Sequence, residues 1–138
     1  MYIAKDVYNK IVFDTPKPPP ETGGALFQKN GIVSRLVFDS GLYEYGKYTP
    51  DVDFLNHQIK EFAEIGYEFC GIFHSHFPFG ENLSNDDKRY IEIITLSLKN
   101  QINKLYFPIV LPKEKLIPYC SYIKGDKVII VSDKLFII

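Results

Sequence analysis

The chain is poor in the residues that most often announce a function. Two cysteines and three histidines are spread over 138 residues. No apolar run reaches the roughly 18 residues that a membrane helix needs. Cys70 and Cys120 lie far apart, and no secretory signal opens the chain. They read as reduced, buried thiols of a cytoplasmic protein. A nucleophilic role for Cys70 is the lesser reading, because buried structural cysteine is common. Sixteen basic and 17 acidic residues leave a formal charge of −1. That balance offers no basic footprint for nucleic acid, so neither nucleic-acid nor membrane partners are expected. Repeats are missing, low complexity is confined to one proline run, and no linker divides the chain.

What is present suffices for a core. Hydrophobic residues make up 46% of the chain and aromatics 15%. A chain of this length can bury about two-thirds of its unfolded surface without staples, so one domain over residues 1–138 is expected. Val7, Ile11 and Val12 have helical spacing within 5–13. The proline run in "TPKPPPETGG" forbids a helix and favours an extended, polyproline-like path. "GALFQ" and "GIVSRLVFDS" read as strands joined by a "KNG" hairpin turn. "GLYEYGKYTP" reads as an aromatic loop. Residues 51–66 read as a helix with Phe54, Leu55, Ile59, Phe62 and Ile65 on one face, capped by Asp51 or Asp53 and ended by Gly66. "YEFCGIFHSH" is a strand whose continuous apolarity predicts burial on both faces. A second helix is expected over 84–102, with Ile91, Ile94, Leu98 and Ile102 as its buried stripe. The remainder reads as strands, with a hairpin at Gly125-Asp126. The fold class expected is α/β, a mixed β-sheet flanked by helices.

Two of the three histidines, His74 and His76, stand one residue apart at the end of that central strand. Side chains two apart on a strand point to the same side, so both imidazoles face one region, as a zinc ion requires. Asp87 follows in the first turn of the next helix, with Ser84 at its N-cap. Two histidines and one carboxylate would leave a fourth tetrahedral position to water, the arrangement of a catalytic zinc. The bland reading stands beside this one. Ser-x-x-Asp resembles a capping box and needs no metal, and a lone His-x-His is a weak metal signal because imidazoles often only hydrogen-bond. The readings are compatible, since a cap that fixes the helix start also aims Asp87. His-Glu-x-x-His is absent, as are the deaminase signature and the length of a barrel hydrolase. His57 stands alone on its helix and reads as structural or exposed.

The series His74-Ser75-His76, seven residues, Ser84, two residues, Asp87 resembles the zinc motif of the JAMM/MPN (JAB) metalloprotease family. Glu21 in "ETGGAL" is similar to the glutamate that the prokaryotic members carry before a strand. The match spans essentially the whole chain. Two departures are visible: Phe77 stands before Pro78, where the family has proline directly after the second histidine, and Gln28-Lys29 stands where many relatives carry glycine.

The resemblance implies a JAB/MPN, cytidine-deaminase-like sandwich. His74, His76 and Asp87 would bind Zn²⁺, Glu21 would serve as general base and acid, and Ser84 would support the oxyanion. It implies a prokaryotic, deubiquitinase-like hydrolase that cleaves amide or isopeptide bonds after the tail of a ubiquitin-like protein. E1-like and E2-like operon partners, in conjugation or anti-phage defence, would fit that role. Tail trimming of a sulfur-carrier protein and a non-catalytic MPN binding module are the alternatives. Gly23 and Gly24 would let the strand approach neighbouring backbone or substrate closely. Tyr43, Tyr45 and Tyr48 could border a substrate groove or simply pack.

Overall fold

The computed structural model describes residues 1–44 and 47–138. The first half runs β1 (Tyr2–Ile3), α1 (Lys5–Asp14), β2 (Gly23–Lys29), β3 (Ile32–Asp39), β4 (Leu42–Glu44), β5 (Lys47–Thr49) and α2 (Val52–Glu64). The second half runs β6 (Glu68–Ser75), α3 (Asn85–Ser97), β7 (Lys104–Tyr106), β8 (Ile109–Leu111), β9 (Lys115–Ile117), β10 (Tyr119–Lys124), β11 (Lys127–Ser132) and β12 (Phe136–Ile137). The main sheet has the order β11-β10-β7-β6-β2-β3-β1-β12, with β8 and β9 branching from β6. It is mixed: β2 runs antiparallel to both β3 and β6, whereas β6 runs parallel to β7 and β8. The expected α/β fold, a mixed sheet flanked by helices, is the one observed.

Strand alternation divides the core between the two faces. Leu26, Val33, Cys70 and Phe73 pack with Val7, Ile11 and Val12 of α1. Ala25, Phe27, Phe69 and Ile72 pack on the other face with Leu55 of α2 and Ile91 of α3. Strict alternation along β6 would send Ile72 to the same face as Cys70. A register shift opposite Leu26 and Phe27 interrupts the phase, with Gly71 and Phe69 as their successive partners. Gly71 permits it, since a Cβ there would sit 1.9 Å from the Tyr106 carbonyl oxygen. Beyond the bulge Ile72 faces the α2 and α3 side, and the same two-residue period carries His74 and His76 with it.

Several expectations are corrected. Residues 42–44 and 47–49 form the β4–β5 hairpin rather than a loop. Residues 18–20 bend instead of running extended. α3 ends at Ser97, with Leu98 as its C-cap, so residues 98–102 are not helix. On α2, Asp51 is the cap and accepts from the Phe54 N–H. Of its five apolar positions only Leu55 is fully buried, and Phe54 and Ile65 are exposed. An apolar groove of about 1000 Å³ lies between α2 and α3, lined by Leu55, Ile59, Ile94 and Leu98. The two-residue β1, not anticipated, pairs in parallel with both β3 and β12. Cys70 and Cys120 are free and buried, as expected.

Candidate metal centre

Three elements meet at the end of β6. The strand delivers His74 and His76, α3 delivers Asp87, and the segment before β2 delivers Glu21. His74 is fully buried, and His76 and Asp87 are 8% and 5% exposed. Their ligand atoms lie within 4.8 Å of one another. The two Nε2 atoms are 2.8 Å apart. His74 Nε2 is 3.1 Å from Asp87 Oδ1, and His76 Nε2 is 3.0 Å from Asp87 Oδ2.

Asp87 owes its place to a complete capping box. Its N–H donates to Ser84 Oγ at 3.0 Å, and its Oδ2 accepts from the Ser84 N–H at 2.9 Å. The bland reading and the metal reading thus describe one geometry. Burial alone would raise the Asp87 carboxyl. Hydrogen bonds from His74 and His76, with the Ser84 N–H, hold it well below the usual carboxylate range. Burial lowers His76, but Asp87 and the Gly80 carbonyl outweigh that and raise it above its ordinary value. Asp86 and Glu81, the other carboxylates near this helix start, face elsewhere: Asp86 pairs with Lys47 and Arg89, and Glu81 with Lys115.

The departure at Phe77 proves to be a tight turn. The Phe77 carbonyl accepts from the Gly80 N–H at 2.9 Å, and Phe79 sits at φ 70 with its side chain almost wholly in solvent. Pro78 and a left-handed third residue have the form of a type II turn. The Gly80 carbonyl so delivered accepts from His76 Nδ1–H at 2.7 Å. A carbonyl can only accept, so the proton of a neutral His76 sits on Nδ1 and Nε2 keeps its lone pair. The inserted Phe77 therefore leaves the ligand pair intact.

Glu21 reaches the cluster through β2–β6 pairing. Gly23 lies opposite His74, and one step further the Ser75 N–H donates to the Thr22 carbonyl at 2.7 Å. Ser75 Oγ accepts from the Thr22 N–H at 2.9 Å. Ser75, the residue between the histidines, thus fastens the segment bearing Glu21. Burial raises the half-buried Glu21 carboxyl above its ordinary value. His76 and His74 draw it down, Asp87 pushes it up, and the Tyr48 N–H lowers it.

Tyr48 is correspondingly not a free groove residue. It is 3% exposed, its hydroxyl donates to Asp39 Oδ2 at 2.6 Å, and its ring covers the space a Gly23 Cβ would take. Close approach at Gly23 and Gly24 is to neighbouring backbone, 2.2 Å from a built Cβ to Phe73 O and 2.0 Å to Val37 O. Tyr45 lies outside the described residues, as does the side chain of Tyr43. His57 is exposed and pairs with Glu61. Sequence reasoning did not single out Ser75, Asp39 or Tyr90, whose contacts join residues 9 to 53 positions apart.

No protein-family model and no curated protein matches the chain. Solved structures do. A JAB1/MPN domain protein from Archaeoglobus fulgidus is similar at 18% identity and a TM-score of 0.54, over 100% of this chain and 96% of that one. A protein from Desulfitobacterium hafniense is similar at 20% identity and 0.67, over 99% and 94%. One from Salinibacter ruber is similar at 13% identity and 0.60, over 99% and 91%. At these identities the likeness establishes the fold, which is JAB1/MPN-like.

Proposed function

We propose that the protein is a zinc-dependent peptidase or isopeptidase that cleaves the amide bond after the C-terminal tail of a ubiquitin-like or sulfur-carrier protein. One observation carries the reading: two imidazole Nε2 atoms and one carboxylate converge within 4.8 Å in a buried site, with Glu21 facing them. The donor set fits zinc, since two nitrogens and one carboxylate are a common catalytic ligand set.

When bound, the ion supplies Lewis acidity and lowers the pKa of its water to about 7. His74, His76 and Asp87 would hold it. Glu21 takes one proton from the attacking water as the new C–O bond forms. It returns that proton to the nitrogen as the C–N bond breaks, so the amine leaves neutral. Ser84 Oγ already accepts from the Asp87 N–H, which leaves its own hydroxyl proton to donate to the developing oxyanion. An extended tail suits a site at a strand end, where backbone pairing can hold it.

The test has two parts. Purified protein should contain close to one zinc per chain; less than about half, unrecoverable by added zinc, overturns the reading. A ubiquitin-like fusion should be cleaved, and Glu21→Ala should slow turnover by roughly 10²–10⁴-fold while keeping the metal. Retained activity in that variant would remove Glu21 from its role.

A further inference from the structure

The ring of His74 is held at both nitrogens by a single turn of α3. Nε2 lies 3.1 Å from Asp87 Oδ1, and Nδ1 lies 3.0 Å from the Tyr90 hydroxyl. Asp87 and Tyr90 are three residues apart, so they share one helix face and move together. The capping box that fixes Asp87 therefore fixes Tyr90 as well. Aromatic contacts restrain Tyr90 further. Its ring stands edge-on to His74, with centroids 5.9 Å apart, and edge-on to Phe107 at 6.2 Å.

The two histidines differ in how their protons are placed. At His76 the Gly80 carbonyl can only accept, so the Nδ1–H tautomer is fixed. A phenol both donates and accepts, so the Tyr90 hydroxyl keeps its bond to His74 Nδ1 in either tautomer of that ring. A metal on His74 Nε2 needs that nitrogen's lone pair, so the ring proton must sit on Nδ1 and donate to Tyr90 Oη.

We propose that Tyr90 is the positioning residue of the metal centre, accepting the Nδ1–H of a His74 that ligates through Nε2 and so holding that ring in its ligating orientation. It touches neither the ion nor the substrate. The assignment rests on the zinc reading above.

Tyr90→Phe removes the hydroxyl and keeps both ring contacts. Zinc affinity, measured by competition with a chromogenic chelator, should fall about 10- to 100-fold. In ¹⁵N-labelled, zinc-loaded wild type, slowly exchanging Nδ1 protons should appear for both His74 and His76. In Tyr90→Phe only the His74 proton should be lost to fast exchange, a change that a general loss of packing would not confine to one ring. Unchanged affinity and an unchanged His74 signal, with a wild type that binds zinc, overturn the Tyr90 assignment alone. A wild type that binds no zinc overturns the metal-site reading and this assignment with it.

Discussion

Under α1, the sheet is closed by aliphatic side chains and Phe73, with Met1 and Cys70 in the same buried cluster. Under α2 and α3, the opposite face carries Phe27, Phe69 and Ile72, but also His74, His76 and Asp87, and an open apolar groove beside them. The helices repeat the contrast. α1 buries Val7, Ile11 and Val12. α3 buries Asp87, Ile91 and Thr95, two polar residues among three. One side of the sheet thus supplies apolar burial, while the other gives up part of it to hold polar groups in fixed geometry. The apolar core and the polar cluster are separated by the thickness of one strand layer, and β6 contributes to both through its bulge.

The largest expected effect tests the closed face. Leu26 is fully buried against α1, and Leu26→Ala should destabilise the protein by roughly 2–5 kcal/mol. That is a large share of the roughly 5–15 kcal/mol typical of a domain. Measured below the melting transition, zinc affinity should stay at the wild-type value. A large loss of affinity in the folded variant would show that the two faces are not separable.

Next in size is a break on the polar face. Asp87→Asn should weaken zinc binding by more than the roughly 100-fold that an outer partner can cost. Unchanged zinc content would move the carboxylate ligand elsewhere. The same pair sets a pH dependence in metal-free protein. His76 is raised above 6.5, so its contribution is full below that pH and is lost as pH rises through the folded value. Asp87 is lowered from 3.8, so its contribution is present above that pH and disappears only further into acid. Metal-free wild type should therefore melt lower at about pH 8 than at about pH 6, by an amount that Asp87→Asn reduces. Zinc should reverse the trend, because its histidine ligands must be deprotonated. A melting temperature that rises with pH in the absence of metal would contradict the pairing.

How much of this could be read in advance follows from the range of each interaction. The α1 stripe, the KNG turn and the Ser84–Asp87 box are local, and each stands in the sequence as it stands in the fold. The sequence offered Asp51 or Asp53 as the α2 cap, and the bond from the Phe54 N–H decides for Asp51. The two-residue β1 is too short to show a period and exists through partners near residues 32 and 136. The β4–β5 hairpin is fastened by Asp39, which accepts from the Gly41 and Asp51 N–H groups and the Tyr48 hydroxyl. No periodicity records such a tie. The bulge in β6 left one trace, Gly71 inside an otherwise bulky strand. The four proposed ligand and base residues were legible as a motif. Ser75 and Tyr90 were not, because a serine between histidines and a tyrosine on a helix are ordinary in sequence and acquire a role only through contacts 53 and 16 residues away.

Ser84 gives the smallest change in stability and the finest division between the two roles of the polar face. Its Oγ accepts from the Asp87 N–H, and losing that cap to alanine should cost about 1 kcal/mol. Glycine is a tolerable cap, so Ser84→Gly should cost only a few tenths of a kcal/mol. Neither variant has a hydroxyl to donate. If Ser84 serves only to start α3, turnover should follow stability, with glycine close to wild type and alanine below it. If its proton also meets the oxyanion, both variants should lose turnover alike while their melting temperatures differ. Thermal denaturation and steady-state cleavage of the same fusion substrate, measured side by side on the two variants, separate these outcomes. Near-normal turnover in Ser84→Gly would confine Ser84 to the cap.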